Sequence, residues 1–310
     1  MTLDPEDMSD APTAPAAVPS AWRTQARTFY WLLRRELWEH RVLYIAPAVV
    51  AGFGILGTLL GSLHLSNTER AARLADPAST YDYMEPYGFV AGTVFLSGVV
   101  VSILYSLAAL HGERRDRSIL FWKSLPVSDL MTVLSKAAVP TLMMPVIVFA
   151  IVVVAQLVIV TLTSLIWLAN GFNPGAMWAE LDLPFLWIVL AYGLAFMTLW
   201  HAPIFAWLLL VSAWARRVPF LWAVAPLVAI GVVGRLASGA SSTPNLLERR
   251  FTGGFTGPFT VGSRGEAPVN TLADLDPARL FGQPGVWIGL MVAALFVFAA
   301  IRQRRSRGPI

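Results

Sequence analysis

The chain has 310 residues, of which 56% are hydrophobic and only 14% charged, with a mean hydropathy of +0.62. A soluble domain carries about 25% charge, so the composition excludes an ordinary soluble protein and points to an integral membrane protein. Cysteine is absent, which excludes disulfides and thiolate metal sites. The formal net charge is a modest +4. The arginines cluster at the ends of apolar runs rather than along one soluble face, which argues against a nucleic-acid partner.

In chain order, residues 1–20 are acidic and then Ala/Pro-rich, without a basic start followed by an apolar core. They read as a disordered cytoplasmic tail and not as a secretory signal. Residues 21–41 differ. Phe29, Leu33 and Leu37 recur every four residues, Trp31 and Trp38 flank them, and Arg23, Arg27, Arg34 and Arg35 supply charge. This pattern predicts an amphipathic helix lying in the inner headgroup layer.

Six apolar runs follow within 42–310: Val42 to Leu63, Tyr87 to Leu110, Val139 to Trp167, Pro184 to Trp214, Val218 to Leu236 and Gly285 to Ile301. Each approaches or exceeds the ~20 residues a helix needs to cross the hydrocarbon. With the N-terminus inside, the cytoplasmic segments hold the groups Arg23–Arg41, Arg114–Lys136, Arg216–Arg217 and Arg302–Arg307. That is about 16 of the 23 basic residues. The expected architecture is therefore all-α, with six transmembrane helices and both termini cytoplasmic. The last extracytoplasmic loop, 238–284, is long and rich in Gly, Ser and Pro, with a short helix expected over Leu272 to Phe281.

The span centres offer little chemistry. Gly57 and Gly61, and Gly88 and Gly92, have GxxxG spacing, which lets helices approach closely, either within one subunit or across a dimer. Gln156 and Thr161 are polar candidates for a translocation path, and hydrogen-bonded packing explains them equally well. Carboxylates are absent from the span centres, which counts against proton- or sodium-coupled transport. His201 is the one intramembrane group that titrates near neutrality. Without HExxH, GxSxG or a paired carboxylate it reads as a packed, hydrogen-bonded histidine, so no enzyme activity, metal or cofactor is expected. The chain has no GxxxxGK[ST] and cannot itself cradle nucleotide through a Walker loop.

The most informative stretch is 111–136, HGERRDRSILFWKSLPVSDLMTVLSK. Its charges cannot sit in hydrocarbon, so it is expected in water or at the headgroups. A break at Leu125-Pro126 precedes Ser128-Asp129, a helix start in which Ser128 caps free N–H groups and Asp129 complements the dipole. A plain connector would not need two short helices and a fixed proline break. The succession Glu113-Arg114, Ser118-Ile119, Ser124-Leu125-Pro126-Val127-Ser128 and Lys136 resembles the first cytoplasmic loop of ABC-2 type transporter permeases. One departure is Arg117, which stands where many members have glycine.

The resemblance implies the permease subunit of an ATP-driven exporter in a bacterial inner membrane. Its partners would be a separate ATPase subunit, which binds the ATP, and a second permease copy. It also implies that 111–136 is the coupling loop. Glu113, Arg114 and Arg117 would then make polar contacts to the ATPase, and Leu125, Pro126 and Ser128 would fix the turn that carries force into the third span. The residues alone leave open a polytopic membrane protein without ATP coupling, either a secondary carrier or an assembly subunit.

Overall fold

A computed structural model describes residues 21–64, 80–124, 127–238, 250–251, 260–261, 267–268 and 271–306. The tail 1–20, Leu125-Pro126 and most of the 238–284 loop lie outside these described residues. The described chain is almost entirely helical, with one antiparallel ladder pairing β1 (Thr260–Val261) with β2 (Ala267–Pro268).

Five stretches are long and apolar enough to cross a membrane: Val42–His64, Pro86–Arg115, Asp129–Ala169, Met177–Trp214 and Pro284–Ser306. The chain is an all-α, multi-pass membrane protein. The expected fifth span falls on a helix over Pro219–Ser238, in which the apolar stretch Pro219–Gly234 is shorter than the other five.

The helix α1 (Ala21–Glu39) is amphipathic, but its two apolar faces do different things. Leu37 packs against the core and Phe29 and Leu33 are partly buried, while Trp22, Tyr30, Trp31 and Trp38 are exposed. Arg34 lies over both Trp31 and Trp38, with its Cζ 5.0 and 4.4 Å from the ring centroids. This sets a cation over two exposed amphipathic rings.

The helix α2 (Val42–His64) packs against α3 (Thr80–Arg115). The close approach there is made by Gly54, where an added Cβ would come within 2.9 Å of Val90. The helix α3 continues through His111–Arg115 to Arg115, beyond the apolar run. After it come the short α4 (Ser118–Ser124) and then α5 (Asp129–Ala138). Ser128 caps α5 as expected, its Oγ accepting from Met131 N at 3.2 Å.

The helix α5 passes through a π-helical turn, Val139–Met143, into α6 (Met144–Ala169), giving one continuous 41-residue segment. The wide turn coincides with Pro140, whose missing N–H cannot close the ordinary ladder. Next come the short α7 (Gly175–Glu180) and then α8 (Leu183–Trp214), capped by Asp182, whose carboxylate accepts from Phe185 N at 3.0 Å. The helices α9 (Pro219–Ser238), α10 (Pro277–Phe281) and α11 (Pro284–Ser306) complete the chain. Among the described residues the most extensive helix contact is between α8 and α11.

Polar side chains inside the spans largely satisfy themselves. The hydroxyls of Thr58, Ser62, Thr93, Ser102, Ser106 and Ser164 bond to carbonyls three or four residues back in their own helices. This lets a hydroxyl occupy an apolar span without an unpaired group.

The expected glycine contacts are corrected by this packing. A Cβ added at Gly57, Gly61, Gly88 or Gly92 meets nothing within 4 Å, so these four do not bring helices together within the chain. That role belongs to Gly54 and to Gly98, where an added Cβ would come 2.5 Å from Val148 of α6.

Candidate functional site

The densest chemistry is a buried charge cluster at the end of the bundle that carries the 111–128 segment. Four helices contribute to it. Glu36 from α1 and Lys136 from α5 are 2% and 1% exposed, and Lys136 Nζ donates to Glu36 Oε1 at 2.9 Å. Tyr105 of α3 donates its hydroxyl to Glu36 Oε2 at 2.7 Å, and His40 Nδ1 lies 3.6 Å from the same oxygen. The His40 and Tyr105 rings meet edge to face, with centroids 5.0 Å apart.

Lys136 Nζ is also 3.2 Å from Glu113 Oε1. That oxygen is buried and forms an ion pair but no directed hydrogen bond. Glu113 Oε2 accepts from Arg304 Nη1 of α11, and Arg304 Nε donates to Asp129 Oδ1 at 3.0 Å.

Local sequence explains why these charges point inward. On α1, Glu36 falls on the partly buried stripe of Phe29, Leu33 and Leu37, the last of which packs against the core. On α5, Lys136 follows Thr132 and Val133 around one buried face. On α11, Arg304 lies one turn beyond the buried Ala300 and Ile301. Burial alone would lift the Glu36 carboxyl. The Lys136 ammonium and the hydrogen bonds from Lys136 and Tyr105 reverse this and hold it below its ordinary value of 4.5. Glu36 is therefore ionised at neutral pH.

A second set of contacts stitches α3 to the end of α8. Ser212 Oγ accepts from the backbone N–H groups of Leu110 and His111 at 3.0 and 2.9 Å. Arg114 Nη1 donates to Ala213 O and Ala215 O at 2.8 and 3.3 Å. A guanidinium over the last carbonyls of a helix both satisfies them and complements the dipole.

These contacts settle where the expected loop residues lie. Glu113 and Arg114 are 7% and 4% exposed, and their partners are inside the chain. The charged island is thus not simply solvated. Two of the three side chains expected to meet a partner are committed to internal contacts, while Arg117 is exposed. Ser128 is exposed as well, whereas Leu125 and Pro126 lie outside the described residues.

The helix α4 stands off the cluster. Ile119 anchors it at 1% exposure, while Leu120 and Phe121 are 58% and 59% exposed. Trp122 packs toward α1, with Arg35 Cζ 3.3 Å from its ring centroid, and Arg35 in turn pairs with Glu39 at 2.6 Å. A cavity of about 300 Å3 lies between α1, the end of α3 and α4, with Arg35, His40, Glu113 and Lys136 among its lining residues.

The other expected site residues are placed differently. Gln156 is buried and occupied: its Oε1 accepts from Trp187 Nε1 at 2.9 Å and its Nε2 donates to Tyr87 O at 3.4 Å, which ties α6 to α8 and α3. Thr161 is exposed on the outside of α6 and bonds to Leu157 O at 2.7 Å. Within the chain, then, the two do not share one path. His201 is buried, with Nδ1 3.1 Å from Met197 O and Nε2 3.4 Å from Phe251 O. A neutral ring carries one N–H and donates to one of these carbonyls at a time. Among the described residues no group of three or more potential metal-ligating side chains occurs.

Glu36, Tyr105, Lys136 and Arg304 were not singled out as site residues from sequence. The available signal was an acid on the apolar stripe of α1 and a base on the apolar face of each of two other helices. No family model matches this chain, and no curated protein or solved structure matches it.

Proposed function

We propose that the chain is the permease subunit of an ABC-2 type exporter in a bacterial inner membrane. On this reading it has six spans and cytoplasmic termini, pairs with a second permease copy, and is driven by a separate ATPase. The observation that carries the reading is the build of the 111–136 segment, which has a fixed base and an apolar tip. Glu113, Asp129 and Lys136 lock both flanks of the segment to α1 and α11 through buried ion pairs. Leu120 and Phe121 stand exposed on the short helix between them. A solvated connector needs neither feature, whereas a part that takes a push from a partner and passes it to the spans needs both.

The backbone adds support. Arg117 has φ +58, in the left-handed region that favours glycine, and this is the position where the resembled family carries glycine. Docking contacts then come from Arg117, Leu120 and Phe121, while Glu113 and Arg114 hold the base.

The test uses the exposed tip, where substitution leaves the core alone. Leu120→Ser with Phe121→Ser should give a normally inserted protein that no longer co-purifies with the proposed ATPase subunit. Retention of full binding and ATP-dependent transport by that variant would leave a polytopic membrane protein without this coupling as the better reading.

A further inference from the structure

We infer that α11 is a rod linking the 111–136 segment to the far end of the bundle, with Arg304 as one handle and a glycine notch as the other. The helix has 23 residues and no internal proline after its first position, so it is roughly 34 Å long at 1.5 Å per residue.

At one end Arg304 grips the two acids that flank the segment: Glu113 near the end of α3, and Asp129 at the start of α5. Displacement of either flank must either carry Arg304 with it or leave a buried charge unpaired, which is strongly unfavourable. One side chain therefore senses the spacing between the two ends of the segment.

The other end holds an unusual insertion. Arg250 lodges between α8 and α11, where its Nη1 donates to Gly285 O at 2.8 Å and its Cζ sits 4.6 Å from the Trp200 ring centroid. Trp200 Nε1 donates back to Arg250 O at 3.0 Å. Gly289 supplies the space, since a Cβ there would overlap the guanidinium. Arg250 Nη2 is buried without a hydrogen-bond partner. The wedge is thus held by carbonyl and ring contacts, whereas the Arg304 clamp pairs with two carboxylates, and of the two ends the wedge is the one that yields.

The notch exists only while α11 keeps its present rotation and height against α8. The contact between them includes two small residues of one buried cluster, Ala300 on α11 and Ala213 on α8, which accommodate sliding. Moving α11 by part of a turn would replace Gly289 with a side chain and push Arg250 out. Opening at the far end is therefore tied to the position of the 111–136 segment through a single helix.

The experiment uses the full-length chain in detergent micelles and no ATPase, so its failure is separate from failure of the exporter reading. The protein has no cysteine, so Phe251→Cys reports the wedge through its rate of modification by a charged methanethiosulfonate reagent. Phe251 is 40% exposed, and His201 contacts its backbone carbonyl rather than its side chain. Gly289→Ala, which ejects Arg250 directly, sets the rate of the released state.

The expected result is that Arg304→Gln and Asp129→Asn each raise the Phe251→Cys rate roughly fivefold or more toward that released value. A Thr271→Cys reporter should keep its parent rate in both backgrounds. Asp129 is partly exposed, so its variant decides the matter if Arg304→Gln does not fold. An unchanged Phe251→Cys rate in folded Asp129→Asn protein would overturn the rod, as would equal acceleration of both reporters.

Discussion

Glu36 and Lys136 lie 100 residues apart in sequence and meet at 2.9 Å, each almost completely buried. The contact joins α1, which borders the bundle, to the helix that leads from the 111–128 segment into the third span. The same ammonium reaches Glu113, so removing Lys136 takes a cation from two buried carboxylates, of which Glu113 keeps Arg304. Lys136→Met should destabilise the protein by about 3–5 kcal/mol. Adding Glu36→Gln to Lys136→Met should recover part of that loss, because the remaining acid is then less exposed to an uncompensated neighbour. Unfolding midpoints in micelles, taken around the double-mutant cycle, measure the coupling. Strict additivity would show that the pair is not energetically linked.

The Glu36 carboxyl gives a pH signature. Its folded value is depressed, so the unfolded chain takes up the proton first. The stabilisation it provides is complete above the unfolded value of about 4.3 and is lost as pH falls through the lower folded value. The gap in thermal midpoint between the parent and Glu36→Gln should therefore be flat through neutral pH and shrink as the solution is acidified below 4.5. A gap that stays constant down to pH ~3 would mean that Glu36 is not ionised in the folded protein.

Span glycines in different surroundings should respond in different ways. Gly98→Ala would drive a methyl into Val148 and should cost roughly 1–3 kcal/mol. Gly57→Ala and Gly92→Ala meet open space within the chain and should leave the monomer's stability unchanged. If either of these variants alters the oligomeric state by size-exclusion chromatography with light scattering, the GxxxG faces serve contacts between copies.

Much of the fold was legible because hydropathy windows report burial in lipid directly. Val42–His64, Leu183–Trp214 and Pro284–Ser306 each begin and end within a few residues of the apolar runs. Helix ends that leave the apolar run were harder to read. The helix α3 extends through the charged His111–Arg115 because Arg114 and Glu113 find partners on α8 and α11, contacts that no local window contains. The same limit hid the charge cluster. Hydropathy treats a charge as something that seeks water, but Glu36 pairs with Lys136 across 100 residues of sequence and Glu113 with Arg304 across 191. The Ser128 cap, which depends on a residue three positions away, was readable at once. GxxxG spacing identified glycines but not which face of the helix meets a neighbour, so Gly54 and Gly98 were passed over.

Among the described residues two non-glycine residues hold left-handed backbone, Arg117 at φ +58 and Val218 at φ +45, and both stand in short turns at the end of the bundle that carries the charge cluster. A β-branched residue in that region is a strong outlier. Each should store about 1–3 kcal/mol, which persists because the flanking helices are held in place. Arg117 follows the Glu113–Arg114 anchor directly, and Val218 follows Ala215, whose carbonyl receives Arg114. Replacing either with glycine relieves the strain, at the cost of greater freedom in the unfolded chain. Arg117→Gly should raise the unfolding midpoint by a net amount near 1 kcal/mol in free energy, and Val218→Gly should do the same. The two effects should add, since neither side chain contributes to the ion pairs between them. Val218→Gly should also leave binding of the proposed ATPase unchanged, whereas Arg117→Gly removes a docking side chain and should weaken it. If Arg117→Gly is instead destabilising by an amount comparable to the relief expected, the Arg117 side chain makes a contact that outweighs its backbone strain. Its departure from the glycine of the resembled family would then be functional and not merely tolerated.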